Sequence, residues 1–278
     1  MSVLAACAAM FWMPAAAMAA GQGDSVSRDG LVLSWEASES PEAAADRRIA
    51  DQSNQGNDGT LLRNTTIKTG PPRLEFDGKG AVIAARPLRP ERLTMAALFR
   101  VDRTSGPLQL IVTTHAPPVR TMAKAVPGNS RQWFLQIRGE PPQADGYLGF
   151  LELGIFGEDG RWHSLMSETR IAKGWHHALG TFDGKRLRFF LDGVEQSRAK
   201  SSPAGVYPGH VHRPPDELVN LFAVGSNSFR NSNGFEGAVA VARLYDRALG
   251  DDEIRGNFTY AKTLFPGVAR QTPRSRPV

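Results

Sequence analysis

The chain has 278 residues, of which 41% are hydrophobic and 22% charged, with 28 glycines, 19 prolines and one cysteine. This composition excludes a disordered chain, a coiled coil and a disulfide-stapled miniature protein. The formal net charge is +5, but removing the three arginines Arg270, Arg274 and Arg276 leaves +2 for the rest of the chain. Because no other basic cluster is evident, no nucleic-acid partner is expected.

The amino-terminal stretch has the character of a secretion signal. Residues 1–23 contain no charged side chain, an apolar run crosses Met10–Met13, and small residues fill much of Ala15–Ala20. This pattern predicts a signal peptide over residues 1–20 and a secreted, periplasmic or cell-surface protein, although the usual positively charged start is missing. The apolar run is too short for a transmembrane helix, so no membrane span is expected.

The single cysteine leaves two readings open. Leu4–Cys7 resembles the lipid-attachment box of bacterial lipoproteins, but very few residues precede it. A small residue inside a signal sequence is the reading we favour. Cleavage near Ala20 would leave a mature chain without cysteine, and therefore without disulfide or thiol chemistry.

Evenly spaced turn signals divide most of the chain into short strands. Asp-Gly pairs, which supply the positive φ angles of tight hairpin turns, begin at Asp29, Asp58, Asp77, Asp145, Asp159, Asp183 and Asp192. Runs rich in branched and aromatic residues predict strands over 31–33, 73–76, 81–83, 94–101, 108–114, 132–137, 147–156, 175–182, 186–191, 221–224 and 237–245. Period-two patterning with frequent turns is typical of an all-β sandwich or barrel.

The last predicted strand and the segment after it differ in period. In residues 237–245, alternation places Val239 and Val241 on one face of the strand and the intervening alanines on the other. Leu249–Phe265 instead has apolar residues at helical spacing, with three acidic residues in the first turn, where the helix dipole favours them. We therefore predict one short C-terminal helix.

Two proline-containing stretches and a basic tail interrupt this pattern. Residues 116–131 and 200–216 are predicted loops, because proline is excluded from central strands, and loops of this length in a compact domain are usually functional or mobile. Residues 267–278 are predicted to be a disordered basic tail. No repeat or linker divides the chain, so residues 30–265 are predicted to form one domain.

Five strings, taken in order, resemble the laminin-G-like jelly-roll domains of the concanavalin A-like lectin/glucanase superfamily. They are Asp51–Gly59, Leu74–Gly78, Gly174–Ala178, Phe190–Gly193, and Phe235–Gly237 leading into Arg243–Leu249. Together they are specific for the fold and much less so for an activity. The resemblance implies an all-β, antiparallel two-sheet jelly-roll sandwich.

Most residues in these strings are expected to maintain the fold rather than to bind or catalyse. We expect Trp175 to be a large anchor in the sandwich interior, and Gly237 to allow close backbone approach. His176 and His177 are adjacent, so on a strand they point to opposite faces and cannot share one metal ion.

Catalysis is not predicted. Glycoside hydrolysis needs two facing carboxylates, and no strand carries the spaced acids of the glucanases that this fold resembles; Glu152, for example, is the only acid in its strand. A Gly-x-Ser-x-Gly nucleophile motif and a phosphate-binding glycine loop are also absent from the sequence. A glycoside hydrolase-like enzyme therefore ranks last among the functional hypotheses.

Calcium is the one cofactor that the resemblance suggests. Related jelly rolls hold a structural Ca²⁺ near an aspartate of the last strand and an early Asp-Gly turn, which implies Asp246 and the Asp77-Gly78 turn, with Asp51 and Asn57 as further candidates. The alternative is that these residues serve only turn and cap chemistry. The pair His210 and His212 could chelate a metal, but no further ligands are evident beside it.

Ligand binding is expected at the loops that rim the sandwich. Aromatic faces and fixed polar groups suit sugar recognition, and the candidates are Tyr207, His210, His212, Asn227, Arg230 and Asn231. The sequence therefore predicts a secreted, non-catalytic module that binds carbohydrate or an extracellular protein. A structural scaffold without a small ligand is the alternative.

Overall fold

A computed structural model of the chain describes residues 26–38, 45–115, 132–140, 146–199, 205–214, 221–226 and 233–268. Two antiparallel sheets, here called sheet A and sheet B, pack face to face, and helix α1 (Asp251–Leu264) lies near the carboxyl terminus. The predicted all-β sandwich with a C-terminal helix is confirmed.

Sheet A contains eight of the described strands, including the last one before the helix. They are β1 (Leu31–Glu36), β4 (Thr66–Lys68), β5 (Arg73–Asp77), β7 (Leu93–Val101), β12 (Gly174–Phe182), β13 (Leu187–Leu191), β14 (Val194–Gln196) and β17 (Glu236–Tyr245). Their order is β14-β13-β12-β7-β17-β5-β4, and β1 also pairs with β17.

Sheet B contains the remaining described strands. They are β2 (Arg48–Ile49), β3 (Gly59–Leu62), β6 (Ala81–Pro87), β8 (Gln109–His115), β9 (Trp133–Ile137), β10 (Phe150–Phe156), β11 (Trp162–Arg170), β15 (Arg198–Ala199) and β16 (Leu221–Val224). Their order is β15-β11-β10-β9-β8-β16-β6-β3-β2. Neighbours distant in sequence, such as β16 beside β6, make the topology that of a jelly roll rather than a simple meander.

Large apolar side chains from the two inner faces form the core. Trp35, Trp133, Phe99, Phe182 and Phe222 are all essentially inaccessible to solvent, and the edge of the Trp35 ring meets Phe222 at a centroid distance of 5.4 Å. Burying one such side chain stabilises the fold by roughly 2–3 kcal/mol, so this layer provides the main driving force for closing the sandwich.

Helix α1 covers the outer face of sheet A. Its buried residues Ile254 and Ala261 pack on apolar side chains that point away from the core, including Leu98 and Leu179. At the start of the helix, the Glu253 carboxylate accepts a hydrogen bond from the backbone N–H of Gly250 (3.0 Å). This bond satisfies one of the N–H groups that a helix start leaves without an internal partner.

A polar network, here called the anchoring network, joins the helix to sheet A. The guanidinium of Arg243 binds the carboxylate of Glu36 and donates to the side-chain oxygen of Asn257 (3.3 Å). The hydroxyl of Tyr260 donates to the other Glu36 oxygen (2.7 Å), and the Tyr260 ring lies under the Arg243 guanidinium at 4.7 Å. Because the partners come from β1, β17 and α1, the network fixes the helix on the sheet.

Trp175 does not occupy the interior as expected. Its ring stacks near Phe265, just after the helix, at a centroid distance of 3.7 Å, and the Arg100 guanidinium lies 5.9 Å from it. Alternation along β12 explains the difference, because His176, next in the chain, takes the inward position beside Phe99. Trp175 therefore anchors the outer layer.

The expected alternation along β17 is also wrong, because a β-bulge interrupts the pairing of β17 with β7 between Val239 and Val241. Val239 faces the core, whereas Val241 faces the helix together with Ala240. Gly237 does allow close backbone approach: its φ is +155°, and a Cβ there would lie 2.0 Å from the carbonyl oxygen of Arg100.

The ends of the predicted domain can be placed only in part. Val268, assigned above to the basic tail, is fully buried against the outer layer of sheet A. The predicted signal peptide and residues 269–278 of the predicted tail lie outside the described residues. Within the described ranges, no helix has both the length and the apolar character needed to span a bilayer.

Candidate functional site

The candidate site lies at one end of the sandwich, here called the rim. The pairing of the strands brings the residues of the rim together. Strand β7 starts where β12 ends, because Leu93 lies opposite Phe182. Strand β17 ends beside the same point, because Tyr245 lies opposite Thr94. The chain just before β7, the β12–β13 turn and Asp246 therefore meet at this end.

Residues 205–214, from the second predicted loop, connect the two sheets at the rim. The backbone N–H groups of Tyr207 and Gly209 donate to carbonyls of the β12–β13 turn, at 2.8 and 3.0 Å. On the other side, His212 donates to the carbonyl of Phe156 (2.8 Å), and the carbonyl of His210 accepts from Glu158 (3.2 Å). Main-chain hydrogen bonds thus hold this crossing segment to both sheets.

Tyr207, a predicted ligand contact, is a core residue. It is only 6% exposed, and its ring is stacked between His163 and Phe182, at centroid distances of 3.8 and 5.8 Å. Burial raises the pKa of its hydroxyl, which donates to the carbonyl oxygen of His210 (3.2 Å). Both ring faces are occupied, so neither can stack on a sugar.

The two histidines of the crossing segment have different surroundings. The side chain of His210 is about half exposed, with its Nδ1 atom 3.9 Å from the carboxylate of Glu91. His212 is half-buried, and its ring meets the edge of Phe156 at 5.5 Å. The other three predicted contacts, Asn227, Arg230 and Asn231, lie outside the described residues.

Beside His210 is an open cleft of about 540 Å³, here called the rim cleft. Its lining comprises Val32, Pro87, Leu88, Arg89, Pro90, Glu91, Arg92 and Asp246. Both Asp246 and Arg92 are exposed. Among the described residues, neither the Asp246 carboxylate nor the Arg92 guanidinium has a hydrogen-bonding or ion-pair partner. An acceptor and a donor are thus both available to a ligand.

Sequence reasoning found Asp246 and His210 but missed Arg92. The residues around Arg92 form no recognisable motif, and the arginine reaches the cleft only because β7 and β17 pair. The available signal was the short run of prolines and arginines from Pro87 to Arg92, directly before a predicted strand. Connections beside strands often carry binding groups.

The predicted calcium ligands do not come together. Asp77 pairs with Glu236 at the start of β17, whereas Asp246 follows Tyr245 at its end. Ten strand residues span about 30 Å, so Asp77 and Asp246 cannot hold the same ion. Among the described residues, no three His, Cys, Asp or Glu side chains gather closely enough to hold a metal.

Asp51 and Asp77 have their oxygens engaged in local structure. Asp51 accepts hydrogen bonds from the backbone N–H groups of Ser34, Ser53 and Asn57, each at 2.9 Å, and from the Ser53 hydroxyl at 2.7 Å. The carbonyl oxygen of Asn57 accepts from the Trp35 indole (2.9 Å). These contacts match the turn-and-cap alternative for this loop.

The Asp77-Gly78 turn is similar. The Asp77 carboxylate accepts from the side-chain amide of Asn64 (2.7 Å) and from the backbone N–H of Lys79 (3.0 Å), and the Asn64 bond is the main reason that the pKa of Asp77 is lowered. Of the predicted metal ligands, Asp246 alone keeps a carboxylate with no partner within the described ranges.

The outer face of sheet B carries a buried polar cluster around Glu152, here called the Glu152 cluster. The carboxylate accepts from the side chains of Gln136 (2.8 Å), Arg138 (3.0 Å) and Ser164 (2.8 Å). The described strands of sheet B carry one other acid, Glu168, whose carboxylate binds the backbone and hydroxyl of Ser197. Sheet B therefore does not present two facing carboxylates on its described strands.

Comparison with known proteins agrees with this architecture. The family model described as the concanavalin A-like lectin/glucanases superfamily matches residues 76–255. No curated protein matches the chain in sequence.

Several solved structures share the fold. Domain 4 of AbnA, an extracellular arabinanase from Geobacillus stearothermophilus solved with arabinotriose, is 14% identical, with a TM-score of 0.55 over 82% of this chain and 97% of that one. The binding domain of botulinum neurotoxin DC, solved with SialylT, is 12% identical, with a TM-score of 0.55 over 84% of this chain and 52% of that one. The same domain was also solved with rat synaptotagmin II. The chain thus spans about half the length of the toxin domains, and at these identities the likeness shows the fold alone.

Proposed function

The chain belongs to the concanavalin A-like lectin/glucanase superfamily, and on that premise we propose that it is a non-catalytic module that binds carbohydrate in the rim cleft. The observation that carries this proposal is that one open cleft contains both the Asp246 carboxylate and the Arg92 guanidinium. Neither group has a hydrogen-bonding or ion-pair partner among the described residues. Sugar hydroxyls both donate and accept hydrogen bonds. A carboxylate and a guanidinium that line one cleft can therefore both bind hydroxyls of one oligosaccharide.

The fold holds these two groups in place before a ligand arrives. Arg92 directly precedes β7 and Asp246 directly follows β17, and the two strands pair over most of their length. The backbone N–H of Asp246 also donates to the carbonyl oxygen of Gly30 (2.9 Å). Rigid placement lowers the ordering cost of binding, so the cleft supports recognition of a small, flexible oligosaccharide.

The comparison structures support a binding role of this kind. One was solved with arabinotriose, one with a sialyl ligand and one with a protein receptor. Recognition of an extracellular protein is therefore the second candidate, and the toxin domain solved with synaptotagmin II favours it. A purely structural module is the third candidate.

Glycoside hydrolysis has one observation in its favour, since Glu91 and Asp246 both line the rim cleft. A glycosidase needs one of its carboxyls to stay protonated near neutral pH, which requires burial or a neighbouring negative charge. Both residues are exposed, and Arg89 and Arg92 lie in the same cleft. The cleft therefore lacks the burial that such a carboxyl requires, which argues for binding without bond cleavage.

A glycan array tests the proposal. We expect the full-length protein to bind a subset of oligosaccharides, with arabinotriose and sialylated glycans among the probes, and to release no reducing sugar from them. Asp246→Ala and Arg92→Ala should each weaken binding about tenfold, the loss of one or two hydrogen bonds to a charged group. Asp252→Ala, on the exposed face of the helix, is the matched control and should bind normally.

Different outcomes of the array separate the candidates. Absence of glycan binding, or binding by both cleft variants that equals that of the wild type, would overturn the proposal. Release of reducing sugar would establish an enzyme. Calcium remains a prediction that rests on Asp246. Loss of binding in EDTA, restored by Ca²⁺, would support it, whereas unchanged binding would assign Asp246 to direct sugar contact.

We also propose that the protein acts outside the cytoplasm, because residues 1–23 are uncharged and partly apolar. Amino-terminal sequencing of the protein from the cell surface, periplasm and medium tests this. A start near Gly21 in those fractions is expected, and an intact Met1 found only in the cytoplasm would contradict it.

A further inference from the structure

A second cavity lies on the outer face of sheet A, between β1 and helix α1, and encloses about 230 Å³. It is separate from the rim cleft, because Val32 lines the cleft whereas its neighbour Leu31 lines this cavity. The polar groups that line it are Arg28, Ser34, Glu36, Gln52, Arg243 and Tyr260. Polar groups that converge on one small space can fix the orientation of a small polar ligand.

One hydroxyl that lines this cavity makes no hydrogen bond within the described residues. Ser34 is only 3% exposed, and within the described ranges its hydroxyl makes no hydrogen bond. It pairs across the sheet with Arg243, so both side chains point to the outer face. The Ser34 hydroxyl lines the cavity, and as both a donor and an acceptor it is available to a ligand hydroxyl.

The charges in the cavity do not balance. Glu36 and Arg243 neutralise one another within the anchoring network. Arg28 donates to the backbone carbonyl of Gln52 (2.5 Å), but no carboxylate among the described residues forms an ion pair with it. A guanidinium has five N–H donors, so Arg28 keeps donors available, and the cavity carries one uncompensated positive charge.

From these observations we propose that this cavity binds a single carboxylated sugar unit, a hexuronate, with its carboxylate on Arg28 and its ring hydroxyls on Ser34 and Glu36. A ring hydroxyl can donate to the Glu36 carboxylate and also accept from Ser34. The volume equals about eight water molecules at roughly 30 Å³ each, which admits one sugar ring rather than a chain. The proposal is independent of the rim cleft.

The test is isothermal titration of the full-length protein with galacturonate, galactose and glycine. We expect galacturonate to bind about tenfold more tightly than galactose, the value of one charge-assisted contact, and glycine not to bind. Arg28→Gln should bring galacturonate down to the affinity of galactose. Ser34→Ala should weaken both sugars about fivefold.

The variants are chosen so that misfolding cannot imitate the result. Ser34→Ala removes a hydroxyl that has no internal partner, so its thermal midpoint should match that of the wild type. Asp246→Ala, at the rim, should bind galacturonate normally, which separates this site from the proposed function. Equal affinity for the two sugars, binding of glycine, binding unaffected by Arg28→Gln and Ser34→Ala, or no detectable binding at about 10 mM sugar would each overturn the proposal.

Discussion

The outer faces of the two sheets each carry a Glu–Arg pair, but the pairs join different parts of the molecule. On sheet A, Glu36 and Arg243 bind Tyr260 and Asn257 of the helix. On sheet B, the Glu152 carboxylate of the pair also accepts hydrogen bonds from Gln136 and Ser164 on the two adjacent strands. The first pair therefore joins two layers, whereas the second joins neighbouring strands of one layer. Although the two pairs have similar chemistry, breaking the first should loosen the helix layer, whereas breaking the second should loosen sheet B.

The largest effect is expected in the Glu152 cluster. Glu152→Ala removes the carboxylate that accepts hydrogen bonds from Gln136, Arg138 and Ser164. Arg138 thereby loses its ion-pair partner, which lies at 3.0 Å. Breaking one partner of a buried ion pair costs about 3–5 kcal/mol, which urea unfolding measures. Adding Arg138→Met to Glu152→Met should recover most of the loss. A single variant as stable as the wild type would show that the cluster does not join the strands.

Arg243→Met should cost less, about 2–3 kcal/mol. The Glu36 side chain is 18% exposed, so water can hydrate it, and it keeps the hydrogen bond from Tyr260. Relative to the wild type, the variant should show a larger increase in amide hydrogen exchange across residues 251–264 than across sheet B. Asp252→Ala, at an exposed surface pair, is the control and should change stability by less than about 0.5 kcal/mol. Uniformly faster exchange would contradict a role confined to the helix layer.

His177 makes the helix layer sensitive to pH. It lies beneath the helix, 5.9 Å from Phe258, and burial, aided by the nearby Arg243, lowers its pKa to about 3. An unfolded histidine has a pKa of about 6.5, so below that pH the unfolded state takes up a proton that the folded state does not. The unfolding free energy should fall by about 2 kcal/mol between pH about 6.5 and 5, at about 1.4 kcal/mol per pH unit.

The same measurement on two variants identifies the group responsible. His177→Leu should remove this fall, because no proton uptake remains at that position, whereas His210→Gln, at the half-exposed rim, should retain it. A fall of equal size in both variants would assign the pH dependence to another group.

The smallest effect is expected at the helix start. Hydrogen bonds from Arg247, with a further one from the Gly250 backbone, lower the pKa of Glu253 to about 2. Its unfolded pKa is about 4.3, so its contribution is complete above that pH and is lost as the pH falls towards 2. Because the side chain is 28% exposed, Glu253→Gln should cost only about 1 kcal/mol at neutral pH. Acid titration of the melting temperature should show a shallower slope for this variant.

The fold could be predicted from the sequence where the determinants are local. Asp-Gly pairs and period-two runs define hairpins over a few residues, and acidic residues after Gly250 mark the helix start. The face of Val241 could not be predicted, because the bulge that turns it arises from the pairing of β17 with β7. Trp175 was misplaced for a related reason: a large aromatic residue suits the outer layer as well as the core once a helix covers that layer.

The candidate sites show the same limit more strongly. Asp246 lies within a recognisable string, but Arg92 lines the same cleft only because β7 and β17 pair. Tyr207 has the aromatic side chain that often contacts sugars, yet its ring is stacked between His163 and Phe182. The cavity beside Ser34 depends on Tyr260 reaching across from the helix. Contacts between residues far apart in sequence leave no periodic pattern to detect.

The crossing segment over residues 205–214 has a consequence for how this surface can change over time. Hydrogen bonds between main-chain atoms hold it to both sheets, and such bonds do not depend on which side chains the residues carry. Residues such as Val206, which is 53% exposed, can therefore be exchanged without loosening the loop. Selection, or directed evolution in the laboratory, can alter what this end of the protein recognises while the scaffold stays intact.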